Sequence, residues 1–272
     1  MFPSTTQRHF ASASLCFLAA CGMPDPAPQA SWESDVDIHI AASTATFPHS
    51  DAYAGQTARG VRGGIRSLSL LRTSNDANPL VLFNHGAKPV EVGYNDGDDT
   101  VVATIPASTL RAGHYTLARM VQTHSRFQVD ACAHGASSVD GTVDDVIVMS
   151  SGTMLDGAMR NAGFYQFAFS GGDVVQERTG DDWPVPVYST TAGAWASVED
   201  GEWAVYFPVN LDVDLDLPAP SLLSVVVNMD RAFRWMDSTD VATNAPGVWD
   251  VADGSHEPVM QFGGNRFDVT LR

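Results

Sequence analysis

The sequence predicts an all-β protein: an antiparallel β-sandwich of jelly-roll or immunoglobulin-like type, with at most one short helix. Three observations point there. Apolar residues recur with a period of two in segment after segment, which puts alternate side chains on opposite faces of a strand. Gly, Asn, Asp and Pro separate these segments at short spacing, as in sandwiches and barrels. No strand–helix–strand rhythm runs through the chain, which argues against a parallel α/β sheet.

Taken in order, Val36, Ile38 and Ile40 alternate with Asp37 and His39 in the first strand. Leu68 and Leu70 alternate with Ser67 and Ser69 after a turn read at Gly63-Gly64. Residues 79–83 and 90–94 flank a turn at Asn84-His85-Gly86, and residues 100–105 follow the acidic turn at 95–99. Residues 114–122 and 126–131 read as two strands on either side of a polar turn. Strands follow at 145–149 and 164–169, and between them residues 153–161 (TMLDGAMRN) read as the one helix, capped by Ser151 or Thr153 and ended by Gly163. Residues 171–202, rich in Gly, Pro, Asp and Thr, read as a long loop or a pair of edge strands. A boundary there would leave a C-terminal piece small for a core of its own, so one sandwich over residues 35–272 is the favoured reading. Trp203, Val205, Phe207, Val209 and Leu211 share one strand face and predict core. Strands at 222–229 and 266–271 complete the set.

The N-terminus carries a different signal. Arg8 and His9 precede a small, apolar run at residues 10–20 (FASASLCFLAA), far short of the about 20 apolar residues that span a bilayer. The run ends Leu18-Ala19-Ala20-Cys21-Gly22, which resembles the bacterial lipobox. That resemblance implies a signal peptide at 1–20 and cleavage before Cys21. It further implies lipidation of Cys21 (diacylglycerol and palmitate) and a membrane-anchored domain outside the cytoplasm in the cell envelope. Gly22 in the second position implies the outer membrane if the cell is Gram-negative. A plain secretory cleavage near Ala20 is the alternative, and it leaves Cys21 unmodified. Residues 21–34, with Pro24, Pro26 and Pro28, read as an extended tether.

The formal charge is −17, and removing Arg8 with the signal leaves 14 basic against 32 acidic groups, a net −18. Such a field repels nucleic acid and excludes it as a partner. It serves solubility, and clustered carboxylates also suit hard divalent cations. With Cys16 removed and Cys21 acylated, Cys132 stands alone, so the mature domain has no internal disulfide. A single cysteine of this kind is ordinarily a small buried residue.

There is no G-x-S-x-G elbow, no H-E-x-x-H and no P-loop. Four weaker constellations remain. Asp237, Asp240 and Asp250 are candidate calcium ligands, although they lack EF-hand spacing and loop Asp residues also serve turn geometry. Around them, the run Phe233-Arg234-Trp235-Met236-Asp237 and the later Gly247-Val248-Trp249-Asp250 are similar to the C-terminal end of uncharacterised bacterial lipoprotein sandwiches, a likeness that implies no activity. Asp96, Asp98 and Asp99 form a second acidic turn. Cys132 and His134, two apart on one strand face, with His114 and His124 nearby, are candidate copper or zinc ligands. They resemble a cupredoxin in ingredients but not in loop spacing. Trp183 and Trp195, in the long loop region, are candidate sugar-stacking residues. The expectation is a lipid-anchored envelope β-sandwich that binds a glycan or another envelope protein and does not catalyse. A periplasmic metal-binding lipoprotein and a hydrolase without a local motif are the alternatives.

Overall fold

The computed structural model describes residues 31–134, 138–185, 187–238, 244–252 and 255–272. The export segment, Cys21 and Asp240 lie outside these residues. The chain folds into β1 (Asp35–Ser43), β2 (Ala54–Gln56), β3 (Arg59–Leu71), β4 (Leu80–Asn84) and β5 (Val90–Gly93). After β6 (Asp99–Pro106) comes a single 3-10 turn, Ala107–Thr109. Then follow β7 (Gly113–His134), β8 (Ser138–Val148), β9 (Thr153–Leu155), β10 (Ala158–Arg160), β11 (Tyr165–Gly171) and β12 (Val174–Gly180). Next are β13 (Trp195–Glu199), β14 (Glu202–Val213), β15 (Leu222–Asn228) and β16 (Phe233–Trp235). The last are β17 (Trp249–Ala252), β18 (Ser255–His256), β19 (Val259–Phe262) and β20 (Arg266–Leu271). The protein is an all-β sandwich.

One sheet is organised around β7. Its first half pairs with β14 on one edge and β3 on the other. Its second half pairs with β8, and beyond the end of β3 with β17. The facing sheet has the order β20-β15-β1-β6. Pairing is antiparallel except at β1 with β15 and β7 with β17. The core fills the space between the sheets: Val36, Ile38 and Ile40 of β1 and Val225 and Val227 of β15 face Leu68, Met120 and Phe207. Full burial of each large side chain contributes roughly 1.5–3 kcal/mol. The Phe207 and Phe267 rings stack at 4.3 Å and tie the sheets together.

The structure corrects three sequence expectations. Residues 153–161 form the β9–β10 hairpin, not a helix. Asp156 and Gly157 both take positive φ, 48° and 78°, the I′ turn for which Asp-Gly is a leading signal. Residues 114–131 are one strand, because the supposed polar turn at Thr123-His124-Ser125 is buried and paired. There the Thr123 hydroxyl donates to the Gly64 carbonyl at 3.2 Å. Gly63-Gly64 is no turn either; both residues lie inside β3. A Cβ on Gly64 would meet Thr123 and His124 at 2.5 Å, so glycine is what lets the strands close over these side chains.

The stretch 171–202 supplies β12 and β13, so Trp195 lies on a strand and not in a loop. Trp203, Val205, Phe207 and Leu211 enter the core, and Val209 packs against it from a partly buried position beside the bulge between Pro208 and Leu211. No helix among the described residues is long and apolar enough to cross a membrane.

Candidate functional site

A cavity of about 350 Å³ opens at one edge of the core. Strand parity builds its floor. Phe127 of β7 points inward, and on β8 the buried positions Val143, Asp145 and Ile147 share a face. The opposite wall comes from Phe233 of β16, Trp249 of β17 and Phe262 of β19. Phe262 lies 4.1 Å from Phe127 and Trp249 meets Phe233 edge-on at 5.0 Å. Trp183 closes the side, its ring 5.2 Å from Tyr165 and 6.0 Å from His256.

Two polar groups stand in this aromatic surround without partners. Asp145 is 2% exposed, and neither carboxylate oxygen makes a hydrogen bond of good geometry among the described residues. Burial pushes its carboxyl up to about 7, with only the Val146 amide opposing. His256 stacks on Phe167 at 5.6 Å and its Nδ1 is likewise unpartnered. Burial lowers its pKa, and the charge of Arg178 adds to that. Glu257, also on the lining, is committed: it accepts from the Ser238 amide at 2.6 Å and the Asp250 amide at 2.9 Å. Burial raises its pKa, and the charges of Asp250 and Asp237 add to the rise.

A second cluster lies at the end of β7. Parallel pairing sets Asp250 opposite Cys132, while on the other edge β8 sets Asp140 opposite Cys132 and Ser138 opposite His134. One donor atom each from Cys132, His134 and Asp250 lies within 4.8 Å of the others. His134 Nε2 is 2.6 Å from Asp250 Oδ1, and its Nδ1 is 2.8 Å from Ser138 Oγ. The Ala245 amide donates to the other Asp250 oxygen at 2.7 Å. Burial first, then Asp140, pushes the Cys132 thiol up to about 11. Thiolate, imidazole and carboxylate are a donor set suited to zinc, with Ser138 fixing the second ring nitrogen from outside. The order Ser138–His134–Asp250 is also that of a hydrolase relay, with the ring nitrogens exchanged relative to the usual arrangement.

The other candidates do not join this cluster. His114 pairs with exposed Asp212 at 2.7 Å, and His124 is buried 3.6 Å from Glu91. They sit twenty and ten residues back from His134 on the same strand, where ten residues span about 33 Å of contour. Asp250, grouped by sequence with Asp237, turns instead to His134. Asp237 accepts from the Gly247 amide at 3.0 Å. In the other acidic turn, Asp96 accepts from the Thr44 amide, Asp98 from the Asn95 amide, and Asp99 lies against His39. Trp195 stacks on Tyr206 at 5.0 Å and 7°, with Arg119 over the Tyr206 ring, on the sheet face that carries the small cluster Leu71, Leu117, Val121 and Ala204. Trp183 and Trp195 thus belong to different surfaces.

Sequence reasoning passed over Asp145 and His256. The signal for Asp145 was an acid at core parity between Val143 and Ile147; for His256 there was none. The chain matches no protein-family model, no curated protein and no solved structure.

Proposed function

We propose that this chain is a lipid-anchored protein of a bacterial envelope, held by Cys21, whose sandwich binds a ligand and does not catalyse. The observation that carries the reading is the cavity beside Trp183, where ring walls enclose two unpartnered polar groups. Apolar pockets with a few convergent polar groups are the usual form of a ligand site. The partner is a glycan or a group presented by another envelope protein. The test is a glycan and peptide binding screen with the domain from Gly22 onward, repeated with Trp183→Ala. Binding lost in a variant that melts normally supports the cavity. Binding that survives Trp183→Ala and follows Trp195→Ala moves the site to the Tyr206 face, and a screen without binders contradicts the reading.

A second reading, metal handling, is favoured by the convergence of Cys132, His134 and Asp250. Cobalt(II) added to the domain as a zinc substitute would give a thiolate charge-transfer band that Cys132→Ser abolishes. Since the thiol must lose its proton, metal affinity should rise with pH. A hydrolase would use the same His134 with Ser138, and labelling of Ser138 by a fluorophosphonate would choose that chemistry over the metal.

A further inference from the structure

The polar inventory of the cavity narrows its ligand. Asp145 offers two unpartnered acceptor oxygens, and the unpartnered His256 nitrogen is an acceptor in one tautomer of the neutral ring. Two further lining side chains are in use: Glu257 accepts two amides, and the Trp249 indole N–H donates to the Glu257 carbonyl at 3.0 Å. No Arg or Lys is among the described residues that line the space. The rest of the wall is mainly ring and aliphatic carbon, and ring faces attract cations. A buried carboxylate without a partner costs several kcal/mol, so an occupant that supplies positive charge and N–H donors recovers what the apo fold forgoes. A hard metal ion needs six or more oxygens, and the unpartnered side-chain oxygens here are the two of Asp145.

We propose that the cavity binds an organic ammonium ion, a primary or secondary amine on an apolar frame. Asp145 is its counter-ion, His256 its second acceptor, and the Trp183, Trp249 and Phe233 rings surround the charge. The volume of about 350 Å³ lies at the small end of ligand pockets, so the frame is a single ring or a short chain. An amine-bearing glycan or a side-chain amine of an envelope protein would present this group. The net charge of −17 favours approach of such a ligand. The proposal rests on the cavity being the binding site.

The experiment compares 2-phenylethylamine with 2-phenylethanol, which has the same frame and no charge, by calorimetry on the domain at pH 8. The amine should bind at least about tenfold more tightly, a difference of about 1.4 kcal/mol. Asp145→Asn should bring the ratio to near one, and Asp145→Glu should retain the preference. Melting curves establish that each variant folds. Equal binding of both probes would leave a ligand cavity but overturn the ammonium reading. So would an amine preference that survives Asp145→Asn, or no binding of either probe at millimolar concentration. The glycan and peptide screen with Trp183→Ala tests the binding reading separately.

Discussion

At the scale of single residues, Asp145 makes stability depend on pH in an unusual direction. Its folded pKa of about 7 lies above the ordinary 3.8. Between those values the folded chain keeps a proton that the unfolded chain gives up. Stability from this group is therefore fully present below about pH 4, falls as pH rises towards 7, and stays low above it. Three pKa units correspond to about 4 kcal/mol. Among the described residues, the other titratable groups lining the cavity are His256 and Glu257, while Asp145 also borders a neighbouring space lined by Arg59, Arg126, Asp144, Glu177 and Arg178. Asp145→Asn should be more stable than the natural chain at pH 8 by a few kcal/mol, with a smaller gap at pH 5, in urea unfolding. A gap of equal size at both pH values would remove the assignment. Cys132, 1% exposed with its thiol pushed up to about 11, should react with iodoacetamide at pH 8 only when the chain unfolds. Rapid alkylation of the folded protein would mean that the thiol is accessible.

Among elements, β7 and the β9–β10 hairpin show how a strand protein reads against its sequence. Thr123, His124 and Ser125 look like a turn because they are polar, yet Gly64 gives them room and a backbone acceptor inside the sheet. Gly64→Ala should therefore cost roughly 1–3 kcal/mol through overpacking, read as a lower urea midpoint. At Gly157 no atom would touch an added Cβ, so Gly157→Ala probes the backbone alone. Its φ of 78° makes the expected loss about 1 kcal/mol. If the Gly157 substitution were the more damaging of the two, close packing at Gly64 would not be the constraint described.

For the whole molecule, the main core runs through both sheets from Val36 to Phe267, and β7 links β3, β14, β8 and β17. Unfolding should be a single cooperative transition by fluorescence and by circular dichroism. Two separable transitions would place a boundary within 171–202. In detergent phase partitioning of cells expressing the full chain, the protein should enter the detergent phase and Cys21→Ala should remain in the aqueous phase. Equal partitioning of both would contradict anchoring through Cys21.

The sequence by itself determined the all-β class and the inward residues of β1 and most of those of β14. Period-two alternation is local, and it encodes which face of a strand is apolar. It also placed Cys132 and His134 on one face, because parity alone does that. Only the tertiary structure decided that Asp250 joins them and that His114 and His124 do not, since partners across a sheet are set by pairing register. The same holds for Asp145. Its parity marked it as inward, but its isolation depends on Trp183, Trp249 and Phe262, brought from distant parts of the chain by long-range packing.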